Sequence, residues 1–371
     1  MGEDDRAPGA NEIELSLFGP GFGECLLLHL GYGEWLLIDS CIDQQRKEQP
    51  ALAYLNQIGV DPAQSVKVVV ISHWHDDHVR GLAQVASVCS SAKFFCPAAL
   101  LEKETLSLLR LRSKGLLPEY SGTKEIIEVF ETLQDRRKGK TPPIRFVVPT
   151  IPLFDQPRGG LGRVRVVALS PSDAVVIQAA QSVASKAYDP EGTAIIAPSP
   201  NLCSIVLHVS FPGVSLLLGS DLEETRDPMV GWSAILDLED RPDARAQVFK
   251  VPHHGSANGH HDRVWSEMLT PPIYSALTPF VRLRTPLPTE SDIYRISKLS
   301  DFAYITSMPR KISAPKRDRV VERQIREVAV LMTQAEPPMG QIRFRRPLDA
   351  DPTVRWVVDL YGAAQKLTPT G

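Results

Sequence analysis

The 371-residue chain has no apolar run near the roughly 18 residues that a membrane span needs. Its longest apolar strings, such as Val68–Ile71 and Val214–Leu218, are only strand-sized. Its first residues, Met1-Gly2-Glu3-Asp4-Asp5-Arg6, are acidic and polar, which reads against a secretory leader. Arg6 also stands where a myristoylation pattern needs Ser or Thr. Cysteine is scarce: five residues, an odd number with no paired spacing, do not make a disulfide framework and fit the reduced thiols of a cytoplasmic protein. Neither sign of charge dominates, since 41 Lys and Arg face 44 Asp and Glu for a net −3. The bulk charge therefore does not advertise nucleic acid, and any such contact must come from a local basic patch. There is no repeat of fixed period and no evident linker between independent domains. What is there is ordinary globular material, 43% hydrophobic and 23% charged, long enough to bury a large core.

Glycine-punctuated strands fill the first half. Residues 12–18 alternate Ile13, Leu15 and Leu17 with polar neighbours, the period of a half-buried strand. Residues 25–30 and 34–38 flank Gly31-Tyr32-Gly33 as a hairpin. Leu52, Leu55 and Ile58 set a helix over 50–58, which Gly59 stops. Residues 66–72 are largely β-branched, as in a strand covered on both faces. A helix over 79–89 and a strand over 93–96 follow. Residues 98–140 read as helical and charged, and 174–200, rich in Ala, Ser and Pro, as an insertion or lid. Further strands are expected at 144–148, 164–169, 204–210, 214–219 and 247–251, with the hairpin between the third and fourth turning at Phe211-Pro212-Gly213. A helix over 292–299 with Ser291 as its cap comes next, then strand-like pieces at 328–332, 341–344 and 354–360. This alternation predicts an α/β sandwich of sheets with helices outside.

One string rises far above that background. His73-Trp74-His75-Asp76-Asp77-His78 puts three imidazoles and a carboxylate pair directly after a buried strand. Neutral imidazole and carboxylate oxygen are the ligands of zinc-like divalent ions. Alternation places His73 and His75 on one side, able to grip one ion; once the chain turns, Asp77 and His78 face a second. So short a string cannot complete two coordination shells. Three other strand ends offer more: Asp221, placed to bridge two ions; the pair His253-His254; and Asp39. Each alone also fits a cap or turn residue, but together they mark a sheet edge where such folds build sites. His208, the only histidine among residues 79–220, has no place at that edge. With the hairpin turning at 211–213, Ser210 pairs with Val214 and Asp221 lies opposite Cys203. His208 is then about 16 Å down the strand at roughly 3.3 Å per residue. The same register brings Asn201 near Asp221.

The order Asp39, His73-x-His75-x-Asp77-His78, Asp221, His253 resembles the metallo-β-lactamase superfamily. In detail it is similar to the soluble hydrolase domain of ComEC-type DNA-uptake proteins. The strings that carry this likeness include Gly23-Glu24-Cys25, Leu36–Asp39, Asn201-x-x-Ser204, Leu218–Asp221 and Lys250-Val251-x-His253-His254-Gly255-Ser256, over roughly residues 12–345. The resemblance implies an αββα sandwich: a hydrolase domain over 1–308 with an insertion at about 98–200, and a C-terminal extension, 309–371, packed on it. It implies one ion on His73 and His75, a second on Asp77, His78 and His253, and Asp221 bridging them, with Asp39 and Ser256 orienting the ligands. Two departures stand out. Many members carry a further ligand histidine where this chain has none, and Leu287 stands where ComEC-type sequences commonly have histidine.

The expected reaction is hydrolysis by a metal-bound hydroxide held by Asp77 and Asp221, with one or two Zn or Mn ions. His254 either protonates the leaving group or caps the Gly255 turn. A phosphodiesterase, most plainly a nuclease, leads. Arg310-Lys311, Lys316-Arg317 and Arg319 with Arg323 and Arg326 cluster cations, and Arg282, Arg284 and Asn201 stand ready for substrate. Single-stranded nucleic acid is the partner these fit, with no membrane. A small-molecule hydrolase for a lactone, thioester or lactam, and a non-enzymatic partner-binding protein with a degenerate metal site, are the alternatives.

Overall fold

Side-chain alternation decides how the strands stack in the computed structural model, which describes residues 6–19, 22–100, 121–136, 144–188, 199–283, 285–309, 339–351 and 353–368. One eight-stranded sheet runs through β1 (Glu12–Gly19), β2 (Cys25–His29), β3 (Trp35–Ile38), β4 (Val66–Val70), β5 (Lys93–Pro97) and β6 (Ile144–Val147). On the far side of β1 it continues into β14 (Gly340–Pro347) and β15 (Val357–Gly362). The other eight-stranded sheet takes β7 (Pro152–Pro157), β8 (Arg163–Ala168), β9 (Leu207–Phe211), β10 (Val214–Leu218), β11 (Ala246–Lys250), β12 (Leu269–Leu277), β13 (Phe302–Ile305) and β16 (Gln365–Lys366), in that spatial order.

Odd-numbered residues of β1, Ile13, Leu15 and Leu17, point between the sheets with Val68 and Val70 of β4. There they meet Leu207 and Val209 of β9 and Leu216 and Leu218 of β10. The opposite faces carry the helices. Leu37, Val69 and Phe94 pack under α1 (Pro50–Gln57), α2 (Leu82–Val88) and α3 (Ser121–Asp135). Beyond α4 (Asp173–Tyr188), Leu217, Phe249 and Leu277 pack under α5 (Gly231–Leu236) and α6 (Glu290–Leu299). Each such apolar side chain contributes about 1.5–3 kcal/mol of burial. The result is the expected four-layer order of helices, sheet, sheet and helices.

Several expectations shift. The β9–β10 hairpin turns on Pro212-Gly213 alone, so Phe211 pairs with Val214 and Ser210 with Ser215, one residue from the expected register. His208 still lies down the strand, opposite Leu217, with Nε2 on the Ala244 carbonyl at 2.7 Å. Residues 174–188, within the segment read as an insertion or lid, form most of α4, which packs Val175 and Ala179 against Cys203. Thr289, not Ser291, caps α6: its hydroxyl accepts from Asp292 N while the Asp292 carboxylate takes Thr289 N. Within residues 309–371, expected to pack on the same domain, β14 pairs with β1 along its whole length. The strand expected at 328–332 and the cations from Arg310 to Arg326 lie outside the described residues. All five cysteines are buried and free. No described helix is long and apolar enough to cross a membrane.

Candidate metal centre

Parallel pairing sends the chain out of neighbouring strands at a common edge. β3 and β4 run parallel in one sheet, and β10, β11 and β12 in the other. Asp39 follows β3, Ser72–His78 follow β4, Ser220–Asp221 follow β10, His253–His254 follow β11 and Thr278 follows β12. The Ile205 amide donates to the Ser72 carbonyl at 3.0 Å and ties the two edges together. Asp39, Ser220, His253 and His254 all take positive φ, between 45° and 58°. That region costs a residue with a side chain about 1–2 kcal/mol, and its use at four neighbouring positions is the strain expected of a functional site.

Asp77, His78, Asp221 and His254 are all buried, and each offers a ligand atom within 4.8 Å of the others. His254 Nε2 lies 3.2 Å from Asp77 Oδ2 and 3.2 Å from Asp221 Oδ2. His78 Nε2 lies 3.2 Å from Asp221 Oδ2 and 3.5 Å from Asp77 Oδ2, yet makes no hydrogen bond. Its other nitrogen is committed, with Nδ1 2.8 Å from Asp39 Oδ2. Asp39 in turn accepts from the Ser72 amide at 2.7 Å and the Ser72 hydroxyl at 2.5 Å. An imidazole that donates through Nδ1 presents the lone pair of Nε2. Here that lone pair faces two carboxylates, an arrangement a divalent cation between them reconciles. His73 Nε2 and His75 Nδ1 converge at 3.2 Å beside this group, the His73 ring 4.2 Å from that of His78. Burial pushes both imidazoles below their ordinary pKa, into the neutral form that binds metal.

The charges tell the same story. Burial opposes a charge on His254, but Asp221 and Asp77 carry its pKa up to about 9. His78 is raised well above its usual value against burial by Asp221, Asp77 and Asp39. Burial raises Asp77 and Asp221, and the facing imidazoles overcome it and hold both below the usual carboxylate range. The cluster is short of positive charge, and His and Asp oxygens are the donors a divalent ion takes.

Behind it lies a second layer. Lys250 Nζ is 2.6 Å from Glu24 Oε1 and 3.5 Å from Asp221 Oδ1, and donates to the Ser220 carbonyl at 2.8 Å. Glu24 Oε2 accepts from the Thr278 hydroxyl at 2.6 Å, and His254 Nδ1 is 3.2 Å from the Thr278 carbonyl. Glu24 is held in place by its amide, 3.0 Å from the Asp77 carbonyl. That approach needs Gly23, at φ 99°, because a Cβ there would stand 2.8 Å from the Asp77 carbonyl oxygen and 2.8 Å from Cys41 Cβ. Gly23→Ala is expected to lower stability by about 1–3 kcal/mol through overpacking and strain. Thermal melts with and without added metal read it; an unchanged midpoint in both would show that this approach carries no load.

The structure exchanges two of the residues picked from the sequence. His254, read as a proton donor or a cap, joins Asp77, His78 and Asp221. His253, read as the ligand, turns its Nδ1 to Glu223 Oε1 at 3.3 Å and its Nε2 to Asn201 Nδ2 at 3.3 Å. Two successive left-handed residues break the alternation that would aim the first of the pair inward. Ser256, expected to support the ligands, instead caps the next turn by accepting from the Asn258 amide at 3.3 Å. Asn201 is buried near the cluster, donating to Glu223 Oε1 at 3.0 Å, with its Oδ1 unpaired. Arg282 is exposed at the rim, its guanidinium 3.5 Å above the Phe22 ring centroid. Arg284 lies outside the described residues. Sequence reading missed Lys250, Glu24, Thr278 and Glu223 as parts of the site. Two of them carried a signal: Lys250, a charge inside the apolar string Val248–Val251, and Glu24, within the string Gly23-Glu24-Cys25.

A family model described as the metallo-β-lactamase superfamily matches residues 18–264. No curated protein matches the chain. Among solved structures it is similar to the metallo-β-lactamase fold protein YhfI from Bacillus subtilis, at 13% identity over 64% of this chain and 70% of that one, TM-score 0.31. It is similar to MEM-A1, a subclass B3 metallo-β-lactamase isolated from a soil metagenome library, at 13% identity over 68% and 80%, TM-score 0.34. A motif mutant of a metallo-β-lactamase from Cronobacter sakazakii aligns at 16% identity over 63% and 75%, TM-score 0.31.

Proposed function

Because this chain belongs to the metallo-β-lactamase superfamily, whose members are mostly metal-dependent hydrolases, we propose that it hydrolyses phosphodiesters and acts as a nuclease on single strands. The observation that carries the substrate class is a chain of ring contacts that runs from the exposed Arg282 to His254. The Arg282 guanidinium lies over Phe22, the Phe22 ring is 5.4 Å from Phe280, and Phe280 is 5.1 Å from the His254 ring. Arg80 covers Phe22 as well, 5.0 Å from its centroid, while paired with Asp76 through its Nε at 2.7 Å. A guanidinium for the phosphate and aromatic faces for a base are what single-strand sites combine. The likeness of the motif order to ComEC-type hydrolase domains supports the same reading.

Asp77, His78, Asp221 and His254, with His73 and His75 beside them, would hold a divalent ion, which would supply a Lewis acid and lower the pKa of a water towards about 7. The chain's part is preorganisation. Asp39 fixes the tautomer of His78 through Nδ1, and Thr278 stands against Nδ1 of His254. Asp77 and Asp221 hold their Oδ2 atoms towards the common centre. His253, Glu223 and Asn201 form a polar wall beside it. Arg282 would fix the phosphate while leaving the ligands untouched.

Arg282→Gln is therefore expected to weaken binding of a single-stranded oligonucleotide while bound metal stays the same. Losing one phosphate contact should flatten the slope of log affinity against log salt by about 0.7. Metal-loaded protein that turns over a neutral chromogenic ester but neither binds nor cleaves DNA or RNA at low salt would overturn the nuclease reading.

A further inference from the structure

We propose that Lys250 is a positioning residue of the metal centre, an internal cation that keeps one oxygen of Asp221 for itself and thereby sets how tightly the centre holds its ions. The proposal rests on the metal-centre reading above and goes beyond it. Lys250 ends β11 between Leu218 and Ala276 of the two parallel neighbours, and it is 1% exposed. A lysine almost never occupies such a place without a paired anion. Here it has two, from separate elements: Glu24 before β2 and Asp221 after β10. The carboxyl of Asp221 is divided by this arrangement. Its Oδ1 makes no hydrogen bond and faces Nζ at 3.5 Å, whereas Oδ2 lies 3.2 Å from both His78 Nε2 and His254 Nε2. The carboxylate thus offers the ion one oxygen, with part of its charge drawn to the ammonium.

The buried carboxylates Asp39, Asp77, Asp221 and Glu24 face one buried ammonium, and with the imidazoles in the neutral form that binds a metal the cluster is three charges negative. One divalent ion would leave an excess of negative charge that repels a phosphodiester. Two would leave the centre one charge positive, matched to it. Lys250 therefore shifts the balance at which an anionic substrate is accepted, and it weakens the hold on the ions so that Asp221 does not close around one of them.

The signs of two substitutions follow, and a merely structural lysine would not produce them. Lys250→Met frees both oxygens of Asp221 and adds a net negative charge. It should raise by at least ten-fold the chelator concentration that strips half the bound zinc. Glu24→Gln leaves Lys250 to Asp221 alone and should lower that concentration by a similar factor. The double variant leaves neither charge stranded and is the safest to fold. It should hold zinc at least ten-fold more tightly than Glu24→Gln alone. Zinc retained against a graded chelator, with a melt of the metal-free protein as a check on folding, reads all three. Both single variants losing zinc together, or the double variant matching Glu24→Gln, would overturn the proposal. Wild-type protein that retains no divalent metal would instead overturn the metal-centre reading beneath it.

Discussion

Asp221→Ala is expected to strip the centre of metal and to lower hydrolysis by well over about 10²-fold, the upper loss that removal of an outer contact alone brings. Asp221 Oδ2 is the atom that both His78 Nε2 and His254 Nε2 approach at 3.2 Å, so its loss removes one of the ties between the sheets at the site. It also leaves Lys250 facing Glu24 alone. Asp221→Asn keeps the shape and removes the charge. It should lose metal nearly as completely, because an amide is a poor substitute for a carboxylate towards a hard divalent ion. Elemental analysis after dialysis, with turnover measured on the same sample, checks both. Full metal content and full activity in either variant would end the assignment of this cluster as the reacting centre.

The exchange of the two adjacent histidines yields the second large effect. His254→Ala removes a nitrogen 3.2 Å from each of Asp77 Oδ2 and Asp221 Oδ2 and should cost a metal equivalent together with more than about 10²-fold in rate. His253→Ala touches Glu223 and Asn201 and should keep its full metal content. Metal counts on the two variants decide between the geometry and the order of the motif. If His253→Ala were the one to lose metal, His253 and not His254 would be the residue that holds it.

That turn shows where sequence reading stops. The His73–His78 string stood out because its imidazoles and carboxylates are contiguous and follow a β-branched strand, and Asp39 and Asp221 because each ends an apolar run. Which of His253 and His254 points inward depends on two left-handed residues in a row, which no periodicity announces. Glu24 and Lys250 are 226 positions apart, so nothing local hints that they pair. Within the fold, the alternating and β-branched strands read well. β12 did not, because Pro271-Pro272 stands in its first half, where proline argues against a strand. The four residues of β13 are too few to show a period. The one-residue error in the β9–β10 register came from granting the turn a third residue.

The pairing of β14 with β1 reaches beyond the site, into the order in which the chain can fold as it is made. Glu12 pairs with Pro347, and the Gln341 amide reaches the Ser16 hydroxyl at 3.1 Å across 325 positions. On the ribosome, β1, β2 and β3 emerge early and can pair at once, but one side of β1 has no partner until β14 has been synthesised. Through that interval β1 is an open edge with unpaired amides, the kind that recruits foreign strands. Closing it brings together residues far apart in the chain, a slow class of contact. Closing this sheet along β1 therefore waits on a strand more than 320 positions away, not on the His73–His78 string.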